Sequence, residues 1–166
     1  GDNKYSLGFV PDFNIHTRTS GDTRYTLTRL LGQRNLQANN TNALSSLNTN
    51  LRYWDAPTNT IDLNTSWWGA QSDLVSWSWK RAPGYFDVVC YKGTNTLGSV
   101  VSHNLGVAPE MIWTKLRDTG ANDWVVWHSA LGNKEFLKLN TTAAKGSNNT
   151  GAGWLPTSTT FNADYY

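Results

Sequence analysis

The sequence predicts an all-β protein built from antiparallel strands, with a sandwich or jelly-roll-like arrangement and little helix. Charged residues make up 16% and aromatic residues 13% of the 166 residues, a composition that favours neutral strands and loops. Several short segments alternate apolar and polar residues with a period of two, as strands with one buried face do. Residues typical of turns follow each of these segments.

The clearest strand is predicted at residues 73–80, where Val75, Trp77 and Trp79 share one face. The other predicted strands are rich in Val, Ile, Trp, Phe and Thr, as β-strands are. They lie at residues 85–91, 99–102, 111–117, 123–128 and 135–140.

Turns and helical segments are predicted from the residues between these strands. Residues 118–122 (DTGAN) have the Gly and Asx chemistry of a short hairpin loop. Only residues 41–47 and 141–145 have a composition that suits a helical turn. Helix is therefore expected to be a minor component.

The chain contains an internal repeat. Residues 7–12 (LGFVPD) match residues 105–110 (LGVAPE), and each segment precedes an alternating strand and a Gly-containing turn. Further pairs follow in the same order: Leu31 with Leu131, Leu36 with Phe136, Asn40 with Asn140, Ala43 with Ala143, Trp54 with Trp154 and Pro57 with Pro156. We therefore predict a first repeat unit at residues 1–82 and a second at residues 83–166, packed together.

Each predicted unit lacks one strand that the other has. The first unit has no counterpart of the strands predicted before residue 103, so its opening strand is absent. The second unit has no counterpart of the strand that contains Trp77 and Trp79, so its closing strand is absent. Two explanations are open: the chain is a segment of a longer protein, or neighbouring copies supply the absent strands.

Composition and charge exclude several classes of function. The net charge is +2 without basic runs, so no nucleic-acid partner is expected. No apolar stretch approaches the ~20 residues of a membrane-spanning helix, and no signal peptide is recognisable. Cys90 is the single cysteine, which excludes an internal disulfide, and we expect it to be a small buried hydrophobe.

Neither a metal site nor a catalytic centre is predicted. His16, His103 and His128 lack metal-ligand spacing, and His103 is expected to cap a turn. Asp118 and Asp123 are the nearest candidates for a glycosidase pair, but Asp is a common turn residue. We therefore expect no cofactor, no metal and no enzymatic activity.

The tryptophans are the remaining functional candidates. Exposed aromatic rings flanked by amides are typical of carbohydrate sites, and we predict Trp54, Trp68 and Trp154, which lie near loops, as carbohydrate-binding residues. A role in the core is equally open for these three. The core is the favoured position for four others: Trp77, Trp79, Trp113 and Trp127.

Several motifs resemble a repeat found in long virion proteins of marine bacteriophages, which are labelled tail-fibre-like or uncharacterised. These motifs are LGFVPDF at residues 7–13, VSWSWK at 75–80, GYFDVVCYKG at 84–93, HNLGVAPE at 103–110 and LNTTAA at 139–144. The resemblance implies a tandem β-rich repeat on the outside of a virus particle, and it carries over no catalytic residue. Residues 49–64 depart from the family pattern.

The resemblance and the composition together predict a non-enzymatic virion protein, a segment of a tail fibre or surface appendage that binds host-surface glycans. Its expected partners are further copies of itself, in a homo-oligomer, and other virion proteins. A capsid decoration or tail-sleeve protein with a purely structural role is an alternative. A polysaccharide-degrading tailspike is a second alternative, and it would require convergent carboxylates.

Overall fold

The fold is described by a computed structural model for residues 3–21, 23–46, 51–52, 60–63 and 73–163. Within these residues there are thirteen strands and one 3₁₀ helix, at Arg29–Leu31. Every strand pair is antiparallel. The predicted all-β, antiparallel fold class is confirmed.

The strands are numbered in chain order. They are β1 (Asn3–Ser6), β2 (Phe13–Arg18), β3 (Arg24–Thr28), β4 (Leu36–Gln37), β5 (Leu51–Arg52), β6 (Thr60–Leu63), β7 (Leu74–Trp79), β8 (Val100–Ser102), β9 (Met111–Thr114), β10 (Val125–His128), β11 (Glu135–Lys138), β12 (Gly146–Ser147) and β13 (Thr160–Asn162).

The strands form four sheets. Two sheets have four strands, in the orders β4-β3-β2-β7 and β12-β11-β10-β9. A three-stranded sheet has the order β1-β6-β5, and β13 pairs with β8. The hairpin predicted around residues 118–122 is confirmed, because β9 and β10 pair directly on either side of that loop.

The apolar core lies between β8 and β13 on one side and the second four-stranded sheet on the other. Val101 and Phe161 come from the two-stranded sheet, and Ile112, Val125 and Trp127 come from the four-stranded one. This arrangement is sandwich-like, with inward side chains of two layers in contact. Trp154, from the loop before β13, fills the centre and stacks on Trp127 with ring centroids 6.3 Å apart.

The first four-stranded sheet buries a polar group instead. Asn14 is fully buried, and its amide donates to the hydroxyls of Ser76 at 2.7 Å and Ser78 at 2.9 Å and to the carbonyl of Trp77 at 2.9 Å. The amide oxygen of Asn14 lies 2.9 Å from Nδ1 of His16. These hydrogen bonds fasten β7 to β2 in one register, because a buried amide is costly without partners.

The two hairpins β2-β3 and β9-β10 share one pairing scheme. Phe13 lies opposite Thr28 in the first hairpin, and Met111 lies opposite His128 in the second. The amide of Arg29 donates to the carbonyl of Asp12 at 3.2 Å, just as Ser129 donates to Glu110 at 2.7 Å. The matching pairings support the predicted repeat, and the division into two units stays a prediction.

An asparagine that accepts a backbone hydrogen bond also recurs beside both hairpins. The amide oxygen of Asn39 accepts from the backbone N–H of Arg24 at 2.9 Å, and that of Asn140 accepts from Trp124 at 2.8 Å. The sequence comparison instead paired Asn40 with Asn140. The structure therefore shifts this match by one residue.

Polar contacts join the two halves of the chain. The indole N–H of Trp124 donates to the carbonyl of Gln37 at 2.8 Å. The backbone N–H of Leu44 donates to the carbonyl of Arg117 at 2.8 Å. The segment at residues 41–46 is thus held against the β9-β10 loop.

Three predictions about local structure are wrong. Residues 85–91 are not a strand, because only Phe86 makes a bridge, to Ala82, and no strand of the described ranges pairs with the rest. Cys90, within this segment, is exposed rather than buried. The segments at 41–47 and 141–145 contain no helical turn in their described residues.

The predicted core tryptophans divide between interior and surface. Trp127 is buried, and Trp79 is half-buried against Phe13 and Phe86. Trp77 and Trp113, by contrast, are 48% and 39% exposed. The expectation of a core position is wrong for these two, because β7 and β9 are the terminal strands of their sheets among the described residues, and side chains at a sheet edge are covered less than those on the inner strands.

We predict that Trp154→Ala destabilises the protein by about 3–5 kcal/mol, because it removes a fully buried ring and leaves a cavity. Trp77→Ala is the matched control, and its cost should be about 1 kcal/mol or less because the ring is largely exposed. Urea unfolding monitored by circular dichroism measures both. Equal costs for the two variants would contradict this description of the core.

Candidate functional site

The predicted carbohydrate-binding residues do not form a site in the described structure. Trp54 and Trp68 lie outside the described residues. Trp154 is 0% exposed, so its ring offers no face to a saccharide, and the structure does not support that role for it. The alternative position in the core applies to Trp154.

A large groove with a volume of about 1340 Å³ runs along β9. Its lining includes residues 84–96, the strand β8, and residues 107–118, which contain β9. Apolar side chains in this lining are well exposed: Tyr85 (71%), Val100 (62%), Met111 (52%), Val107 (49%) and Trp113 (39%). We call this feature the edge groove.

The edge groove follows a sheet edge. Among the described residues, β9 pairs only with β10, and it is the last strand of its sheet. The equivalent strand of the first sheet, β2, lies between β3 and β7. One side of β9 is thus open where the corresponding side of β2 is paired.

The rim of the edge groove is fixed by Asp87. Its carboxylate accepts from Nε of Arg81 at 2.5 Å and from the backbone N–H groups of Val88 at 2.8 Å and Asn104 at 2.7 Å. These bonds hold the start of the unpaired segment at residues 87–94 beside the turn that follows β8. The segment is further anchored where Tyr91 packs edge-on against Phe161, with centroids 6.3 Å apart.

The sequence analysis expects two aromatic residues of the edge groove in other positions. Trp113 was expected in the core, and Tyr85 was expected in a strand. In the predicted repeat, β9 corresponds to β2 and the second unit is expected to lack a counterpart of β7. Together these two expectations indicate an uncovered strand at Met111–Thr114.

Several carboxylates of the described structure serve as anchors for basic or hydroxyl groups. Hydrogen bonds from Lys138 and Asn140 lower the pKa of Asp123, whose carboxylate lies 2.7 Å from the ammonium of Lys138. A hydrogen bond from Lys145 lowers the pKa of Glu135, and bonds from Ser20 lower that of Asp73. A carboxyl group that acts as a general acid needs a raised pKa, and the pKa values of these three carboxyl groups are lowered.

The histidines serve the fold. Nδ1 of His103 accepts from the backbone N–H of Leu105 at 3.2 Å, which confirms the expected turn cap, and Nδ1 of His128 accepts from Ala130 at 3.0 Å. His16 is 1% exposed and stacks on Tyr25. No group of three or more potential metal ligands occurs within the described ranges.

These features define an antiparallel all-β protein with an apolar groove beside an open strand edge. The chain belongs to the family described as Domain of unknown function (DUF7483), whose model matches residues 2–164. Searches of curated proteins and of solved structures found no match. Among the described residues, no helix has the length and apolar character needed to cross a membrane.

Burial lowers the pKa of His16 from 6.5 to about 4, which predicts a pH dependence of stability. Between these values the unfolded state binds a proton that the folded state does not, so stability falls as the pH falls below 6.5. The loss is about 1.4 kcal/mol per pH unit. It should amount to about 2 kcal/mol between pH 6.5 and 5, above the range where carboxylates titrate.

Chemical unfolding of the wild type and of His16→Gln across this pH range measures the effect. The variant should be less stable at pH 6.5 but should lack this component of the slope. Equal slopes for the two proteins would show that His16 is not the group responsible.

Proposed function

We propose that the chain is a non-enzymatic structural segment of a bacteriophage tail fibre or surface appendage, located in the virion, and that it works by associating with further copies of itself. The observation that carries the assembly role is the edge groove, where exposed apolar side chains lie beside an open strand edge. The phage assignment is supported by the sequence motifs described above.

The apolar exposure supports an assembly surface because it is concentrated. Val107, Met111 and Trp113 are close in sequence, and each is between 39% and 52% exposed. Contiguous exposed apolar surface is typical of interaction sites, whereas scattered exposed apolar residues are normal. An open edge strand also pairs readily with other chains, so proteins usually cover or protect it.

The arrangement of carboxylates favours a structural role over a polysaccharide-degrading one. Asp123, the better placed member of the Asp118 and Asp123 pair, is bound to Lys138 and Asn140. Those bonds hold it as a carboxylate, whereas a glycosidase acid must carry a proton at neutral pH. A decoration or sleeve protein shares the same assembly chemistry and differs only in its place on the particle.

We predict that the wild-type chain self-associates and that Met111→Lys weakens this association about tenfold, because the charge would be desolvated in the interface. Leu155→Lys is the matched control, since Leu155 is 53% exposed and is not among the residues that line the edge groove. Sedimentation equilibrium measures the association constant of each protein.

Two results would contradict the proposal. A wild-type chain that stays monomeric at high concentration would remove the assembly role. Absence of the chain from purified virus particles, tested with an antibody against it, would remove the virion assignment.

Glycan binding is a second candidate function, and Tyr85 favours it. The ring is 71% exposed and lines the edge groove, whose lining also includes the Asp87 and Arg81 ion pair. An exposed aromatic face with polar groups close by is the usual arrangement for stacking against a sugar. Host-surface saccharides are the ligand class that this chemistry and the phage resemblance suggest together.

We predict that Tyr85→Ala reduces saccharide binding at least tenfold, because the stacking surface is lost. Trp77→Ala removes an exposed aromatic ring that does not line the edge groove and should leave binding unchanged. A glycan array identifies the ligand, and calorimetric titration compares the variants. Binding that is lost equally in both variants, or absent from the wild type, would exclude Tyr85 as the site.

A further inference from the structure

The open side of β9 has a defined set of backbone groups. Ser129 donates to the carbonyl of Glu110, so residues 110 and 112 direct their backbone groups towards β10. Because these directions alternate along an antiparallel strand, the N–H and C=O groups of Met111 and Trp113 point to the opposite side. That side faces the edge groove.

The first sheet shows how the equivalent side of β2 is covered. Phe13 and Ile15 occupy the positions of Met111 and Trp113, and they lie opposite Trp79 and Trp77 of β7. The rings of Phe13 and Trp79 are in contact, with centroids 5.6 Å apart. An alternating serine and tryptophan strand is therefore the chain's own partner for this kind of edge.

We propose that β9 accepts one further antiparallel strand with the serine and tryptophan alternation of β7, supplied by another copy of the repeat unit in which that strand is not held by its own equivalent of β2. The register is that of β7 on β2, so the counterpart of Trp79 lies opposite Met111 and the counterpart of Trp77 lies opposite Trp113. This inference deepens the proposed assembly role and depends on it.

The side chains of β9 suit such a strand. Met111 and Trp113 present apolar surface on the face where the two incoming tryptophans would lie, and cross-strand aromatic and apolar pairs stabilise antiparallel sheets. The edge groove provides open volume along this side. A strand of six residues has a length of about 20 Å.

One difference predicts weaker binding on β9 than on β2. Asn14 fastens β7 through three hydrogen bonds, to Ser76, Trp77 and Ser78. Its counterpart on β9 is Ile112, which is buried in the apolar core and has no polar group to offer. The added strand is therefore held by backbone bonds and apolar contact alone, which suits a contact made between separately folded units.

The test uses the intact chain and a synthetic peptide with the sequence of residues 73–80 (DLVSWSWK). The chain's own β7 occupies β2, so of these two equivalent strands only β9 has an open side for the peptide among the described residues. We expect one peptide to bind per chain by calorimetric titration. Hydrogen exchange should show slower exchange of the Met111 and Trp113 amides when the peptide is bound.

Methylated peptides provide a matched control. In the proposed register the amides of Trp77 and Trp79 point towards the acceptor strand, and those of Ser76 and Ser78 point away. N-methylation at the two tryptophans should abolish binding, whereas N-methylation at the two serines should leave it nearly unchanged. Trp113→Ala in the acceptor should weaken binding several-fold, and Leu155→Ala should not change it.

Three results would overturn the inference. The first is no binding of the unmodified peptide, and the second is equal binding of the two methylated peptides. The third is altered exchange in β2, which would mean that the peptide displaces β7. A chain that self-associates through β9 without binding the peptide would keep the assembly role and indicate that β9 pairs with β9 of a second copy.

Discussion

The backbone hydrogen bonds of sheet edges constrain this fold more than any single side-chain contact. A strand inside a sheet satisfies its N–H and C=O groups on both sides, whereas an edge strand leaves one row for water or a partner. β2 and β9 pair in the same way with their hairpin partners, but among the described residues β2 is an inner strand and β9 is an edge strand. As a result Phe13 is half-buried under Trp79 and Phe86, while Met111 is exposed.

The alternation of residues was enough to predict β7, β8, β10 and β11 close to their observed positions, because side chains of a half-buried strand must alternate whichever sheet they join. The same signal was misleading at residues 85–91. There Phe86 and Tyr91 pack against other rings as alternation suggests, but none of the strands that the structure describes pairs with this backbone. Alternation reports which side chains share a face and carries no information about neighbouring strands.

The burial of the tryptophans was harder to predict for a related reason. Trp127 and Trp113 lie on adjacent strands, yet Trp127 is under the β8 and β13 layer and Trp113 faces the edge groove. Which face receives a second layer depends on contacts between distant parts of the chain. The predicted repeat bears on this difference, because it places β9 at the position of β2, and β9 has no neighbour equivalent to β7 among the described residues.

The two four-stranded sheets share one pattern of strand pairing, although one buries polar side chains and the other buries apolar ones. Asn14 and Ile112 occupy equivalent positions, and one anchors a polar network while the other belongs to an apolar core. Strand pairing itself uses only backbone groups, so this exchange leaves the register of the hairpin unchanged. The exchange of Asn14 for Ile112 changes how the next strand is bound. Hydrogen bonds from the amide of Asn14 fix β7 in place, and the side chain of Ile112 cannot form such bonds. The polar interior therefore accompanies the completed sheet, and the apolar interior accompanies the open one.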